Sequence, residues 1–75
     1  MNDKRRKEIT EIIGSLRASH SKLVNVMMDE EYAIDCIPEN LQESDRYMDM
    51  EDGLDRLEEA SDMIDDAIDK IYSVI

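Results

Sequence analysis

From Tyr47 onward, core-type positions recur at alternating steps of three and four: Tyr47, Met50, Leu54, Leu57, Ser61, Ile64, Ile68, Ile71 and Ile75. That spacing is an a/d heptad seam, a stripe that a helix presents along one side and a strand cannot. Beside it, at the g position, stand Gly53, Ala60, Ala67 and Val74. The apolar face is therefore wider than a two-stranded seam requires, and its small residues permit close helix approach. The first half follows the same frame more loosely, with Ile9, Ile13, Leu16, His20, Leu23, Met27, Glu30 and Ile34 at a/d, and Ile12, Ser19, Val26 and Ala33 at g. His20 and Glu30 interrupt this seam. Val24, Met28 and Tyr32 form an i, i+4 line on another edge of the same helix, one that a single hairpin partner cannot cover.

Between the halves lies the run from Ile37 to Asp45, where Pro38 biases Ile37 away from helical geometry and Ser44 is a good N-cap with Asp45 in the first turn. The expected fold is all-α. One helical-hairpin domain over residues 1–75 would have helix 1 at about 3–36, a connection at 37–44 and helix 2 at about 45–75. Antiparallel pairing of a with d positions matches Ile9 with Ile75, Ile13 with Ile71, Leu16 with Ile68, Met27 with Leu57 and Ile34 with Met50, each pair of numbers summing to 84. In that register His20 faces Ile64, Ser61 faces Leu23 and Glu30 faces Leu54. His20 then reads as a polar layer that selects one register over its slipped alternatives.

Length changes the picture next. At 75 residues a single chain's core seldom supplies more than about 3–5 kcal/mol without a disulfide, a metal or a partner. The lone Cys36 cannot form an intrachain disulfide, which leaves homo-oligomerisation, a coiled-coil-like hairpin assembling into a larger bundle, as the expected completion of the core. Its expected contacts are Val24, Met28, Tyr32, Gly53, Ala60 and Ala67. No apolar run approaches the roughly 18 residues of a membrane span. The basic start, MNDKRRKEIT, leads into an amphipathic pattern rather than a secretory signal, so a reducing cytoplasm is the expected compartment.

The formal charge of −11 is concentrated in the second half: residues 38–75 hold thirteen Asp/Glu against three Lys/Arg, whereas residues 1–37 hold seven against six. Such acidity disfavours direct nucleic-acid or anionic-membrane binding and favours a basic protein partner. On helix 2 the acids fall in three adjacent heptad columns: Glu51, Glu58 and Asp65 at e; Asp45, Asp52, Glu59 and Asp66 at f; Asp55, Asp62 and Asp69 at b. Eight of the eleven acids from Asp45 to Asp69 are Asp, a poorer helix former than Glu, and no Lys relieves them before Lys70. A solvated, solubilising face is one reading. An array of short carboxylates that imitates a phosphate backbone and occupies a basic groove is the sharper one.

Other chemistry finds little footing. Asp52, Gly53 and Glu59 match positions 5, 6 and 12 of a calcium loop, but Met48 and Met50 stand where hard-oxygen ligands belong. One His and one Cys give no transition-metal site, and no nucleophile-base pair or Gly-rich phosphate loop supports catalysis. No cofactor is expected and the chain reads as a non-enzyme. For the cluster Lys4-Arg5-Arg6-Lys7, pairing with Asp65, Asp66 and Asp69 across the hairpin is the plain expectation and a nucleotide or phosphate contact the sharper one.

The start KRRKEITEII, the connection IPENLQESDRY and the tail LDRLEEASDMIDDAIDKI resemble the small acidic helical-hairpin proteins of Firmicutes and their phages and mobile elements. The specific part is IPENLQ-S-x-R-Y. In layout alone, a Pro-containing connection ahead of Leu57-Glu58-Glu59-Ala60, the chain is also similar to phage hairpin sponges that oligomerise and sequester nucleotide immune signals. The first resemblance implies a phage or mobile-element origin and, with the acidic face, inhibition of a host-defence protein. The second implies a nucleotide ligand, for which helix 2 offers only Arg46, Arg56 and Lys70. A purely structural or assembly role is the third expectation.

Overall fold

The structure is a computed structural model that describes residues 1–75 as two helices, α1 (Asp3–Asp35) and α2 (Asp45–Tyr72), joined through a single 3-10 turn at Glu39–Leu41. The helices pack against each other as a hairpin, and there is no strand. At 1.5 Å per residue they run about 50 Å and 42 Å. The molecule is a rod of 60 × 15 × 12 Å.

Local chemistry sets each boundary. The Asn2 side chain accepts from the Arg5 N–H at 2.9 Å, and Asp3 places an acid in the first turn of α1, where the helix dipole favours it. At the other end Cys36 and Ile37 still donate back to Tyr32 and Ile34, but Pro38, extended at ψ 148° and lacking an N–H, breaks the run. The 3-10 turn, which periodicity does not reveal, satisfies the backbone there by donation from Leu41 to Pro38 and from Gln42 to Glu39. Ser44 then caps α2, accepting from the Tyr47 N–H at 3.2 Å while its hydroxyl donates to the Leu41 carbonyl at 2.7 Å. Ser44→Ala is expected to cost about 1 kcal/mol and lower the melting temperature by about 4–8 °C in a thermal CD scan.

The seam is where the pattern placed it. Ile13, Ile34, Ser61 and Ile68 are buried; Ile9, Leu16, His20, Leu23, Met27, Glu30, Tyr47, Met50, Leu54, Leu57, Ile64 and Ile71 are half-buried. Glu30 and Leu54 line one cleft, and Ile37 and Tyr47 another, as the register summing to 84 requires. Two details differ. Helix 2 stops at Tyr72 rather than Ile75, because the Ser73 hydroxyl turns back to the Lys70 carbonyl at 2.6 Å and Val74 and Ile75 make only short-range turn bonds. Ile75 lies beyond the helix and is 41% exposed, while Ile9, its partner in that register, is half-buried.

The second difference is in the polar layer. His20 and Ser61, each placed by the register opposite an apolar residue, instead meet each other diagonally, with His20 Nε2 and Ser61 Oγ 2.8 Å apart. A buried hydroxyl left alone would lose its water without compensation, so the two seam interruptions satisfy one another. Replacing His20 with Leu orphans the Ser61 hydroxyl and is expected to destabilise by about 1–3 kcal/mol. Adding Ser61→Ala should recover part of that loss, a coupling readable in a double-mutant cycle.

The packed hairpin remains thin. Only three apolar side chains, Ile13, Ile34 and Ile68, are buried, and 6,073 Å² of surface is accessible, where a compact monomer of this mass would expose about 4,700 Å².

Candidate interaction faces

The two flanks of the seam are chemically opposite. One is marked by Arg17 of α1, whose guanidinium lies 5.8 Å from the centre of the Tyr72 ring of α2. Both are e positions, so the e columns of the two helices share this flank, as they do in any antiparallel pair. The other is marked by Val26 and Gly53, both g positions, which line one cleft together with Met50, Leu54 and Leu57.

All of Asp45, Asp52, Asp55, Glu58, Glu59, Asp62, Asp65, Asp66 and Asp69 are exposed, as is Glu51. None is in an ion pair, since the structure's single salt bridge joins Arg6 to Asp3 at 3.5 Å within the first turns of α1. These ten acids span 24 residue steps, about 36 Å of helix. That is one negative charge per ~3.6 Å, against one per 3.4 Å along a single DNA strand. The array is linear: no three of its carboxylates come close enough together to hold a metal ion. At its upper edge the Tyr47 phenol is held above its ordinary value of 10.0, first by hydrogen bonding to Glu51, then by partial desolvation and by the negative charges of Glu51 and Asp35.

The expected pairing of Lys4, Arg5, Arg6 and Lys7 with Asp65, Asp66 and Asp69 is not formed. The reason is axial. In the register summing to 84, Tyr72 is level with Ile12 and Asp69 with Ser15, so α1 extends past the end of α2 and carries the basic cluster roughly 12–16 Å beyond the nearest of those acids. Ion pairs need about 4 Å, and all four basic residues are exposed.

The six expected oligomer contacts do not form one patch. Val24 is half-buried on the flank of Arg17 and Tyr72, while Met28 and Tyr32, 62% and 73% exposed, lie on the outer side of α1. Gly53, Ala60 and Ala67 belong to the opposite flank. There they adjoin Ile12, Val26 and Val74, g-column residues each more than half exposed and not among the expected contacts. A Cβ added at Gly53 would meet nothing within 4 Å, so the contact between α1 and α2 does not require glycine there.

A further cleft of about 540 Å³ sits at the hairpin tip between Ala33, Cys36, Pro38, Leu41, Tyr47 and Met50, with Arg46 its one cation. Arg56 and Lys70 do not line it. Neither helix is long and apolar enough to cross a membrane. Comparison with protein families, with characterised proteins and with solved structures returns no match to this chain.

Proposed function

We propose that the protein is a non-catalytic binding protein whose exposed α2 face, running from Asp45 to Asp69, engages a basic groove on another protein, in the manner of a DNA mimic. The observation that carries this reading is the spacing of charge: ten unpaired carboxylates in three adjacent columns at nearly the linear density of a DNA strand. Holding them on a helix that is packed against α1 along most of its length fixes their positions before binding, which lowers the ordering cost of the complex. The resemblance to phage and mobile-element hairpins makes a host-defence protein that handles DNA the fitting target, and homo-oligomerisation would display two or more such arrays at once.

The test is competition. Proteins retained from a bacterial lysate on the immobilised chain should be displaced by duplex DNA and by salt, and should not be retained by a variant with Asp55, Asp62 and Asp66 changed to Asn. Retention indifferent to DNA, salt and the Asn changes would return the acidic face to a solubilising role. Tight binding of a nucleotide signal that depends on Arg46, Arg56 or Lys70 would move the protein to the sponge reading instead.

A further inference from the structure

The flank opposite the acids has the properties of a contact surface. From residue 5 to residue 33 the g column of α1 reads Arg5, Ile12, Ser19, Val26 and Ala33, and that of α2 reads Arg46, Gly53, Ala60, Ala67 and Val74. Neither column holds an acid, in a chain with twenty of them. Because the helices are antiparallel, the columns run side by side, level pairs being Ile12 with Val74, Ser19 with Ala67, Val26 with Ala60 and Ala33 with Gly53. All three clefts of the molecule open on this flank, one beside Ile12 and Ser19, one beside Val26 and Gly53, one beside Ala33 and Arg46. Small side chains between larger ones leave those hollows. Ile12, Val26 and Val74 stand 51%, 55% and 54% exposed between them.

We infer that this g-column flank is the site at which a second copy of the chain packs, the two hairpins facing each other about a two-fold axis parallel to the rod, so that each α1 lies antiparallel to its partner's α2. The inference deepens the oligomeric part of the proposed function by assigning its face and partner. Three observations on the molecule choose this occupant and arrangement.

Charge chooses the face. Pairing through the e flank would enclose Glu51, Glu58 and Asp65 of α2 with Glu31 of α1, and in the same two-fold arrangement would set Glu51 against the partner's Glu31. Pairing through the g flank leaves these four and the b- and f-column acids of α2 outside, with Glu30 and Asp49 the carboxylates that line its central cleft. Area agrees. A surface about 42 Å long and two helices wide offers on the order of 800 Å² per copy, the size of a standard specific interface. The 6,073 Å² exposed by one chain exceeds the roughly 4,700 Å² of a compact monomer by more than such a contact removes.

The rim chooses the arrangement. Outside the g columns lie the c columns, Glu8, Ser15, Lys22, Asp29 and Cys36 on α1 and Asp49, Arg56, Met63 and Lys70 on α2. A two-fold axis parallel to the rod preserves axial level, so the hairpin's own register sets Asp29 against the partner's Arg56, Lys22 against the partner's Met63, Ser15 against the partner's Lys70 and Cys36 against the partner's Asp49. No level opposes like charges, and the one doubly charged level is an ion pair made twice. Within a single hairpin neither Asp29 nor Arg56 touches an opposite charge, and both are exposed.

Sedimentation equilibrium between about 1 and 100 µM, concentrations that resolve a micromolar contact, should return twice the 8.7 kDa chain mass. Asp29→Arg and Arg56→Asp should each weaken self-association by about tenfold or more, because each places like charges together at two symmetric sites. The double variant carrying both changes should restore it to within a few-fold. Neither residue supports the hairpin itself, so CD at matched concentration reports whether the fold persists in each single variant. If the fold requires the partner, the same order should appear in the concentration dependence of the melting temperature.

A helical 8.7 kDa monomer across the whole range, a trimeric mass, or a double variant no better than the singles would each overturn the inference. Rescue of Asp29→Arg by Lys22→Glu instead would show α1 packing on α1, and would overturn it too. The acidic-face proposal fails separately, because changing Asp55, Asp62 and Asp66 to Asn should leave self-association intact.

Discussion

Ile68→Asp should abolish the helical CD signal at micromolar concentration. Ile68 is the most buried side chain of the protein at 3% exposed, and it packs on the seam in the register that sets it against Leu16. An unpaired carboxylate there must either stay ionised in an apolar layer or take up a proton, and either course costs several kcal/mol. A 75-residue chain has roughly 4–11 kcal/mol of stability in all, and one with three buried apolar side chains belongs at the low end. Leu57→Asp, at a half-buried seam position, should act in the same direction with a smaller loss. Asp62→Asn, on the exposed b column, should leave the spectrum unchanged, so equal loss in the two kinds of variant would show that the heptad frame is misassigned.

Replacing Asp55, Asp62 and Asp66 with Asn should weaken binding of a basic partner by roughly 10–100-fold while the fold persists, since the charged rim of an interface sets on-rate and specificity and several charges act together. The dependence on salt should be steep. Between about 50 and 500 mM the screening length falls from ~14 Å to ~4 Å, shorter than the ~10.5 Å between successive acids of one column. Beyond that point the array acts as separate carboxylates and no longer as a continuous charge. The same triple change should raise the melting temperature slightly, because ten unpaired acids on one face repel each other. A variant that bound its partner fully and without salt dependence would leave the acids a solubilising role alone.

The sequence by itself determined the helices, their seam and the pole of charge. An alternation of three and four allows one secondary structure, Pro38 and Ser44 punctuate it by removing a donor and supplying a cap, and columns seven residues apart remain columns on any helix, so the sequence alone places the exposed acids. Periodicity also marked His20 and Ser61 as interruptions, but it assigns partners by level along the axis. Only side-chain reach in three dimensions decided that the two would bond to each other.

Tertiary structure decided three further matters. The 3-10 turn at Glu39–Leu41 depends on satisfying backbone groups after Pro38, which no spacing records. The basic cluster at Lys4–Lys7 and the acids at Asp65–Asp69 attract on paper, yet α1 reaches beyond the end of α2 at the open end of the hairpin, which holds them apart. Which apolar positions share a face was decided by the antiparallel pairing. It sends Val24, Met28 and Tyr32 away from Gly53, Ala60 and Ala67, and it joins the latter to Ile12, Val26 and Val74, because a heptad column belongs to one helix whereas a face belongs to two.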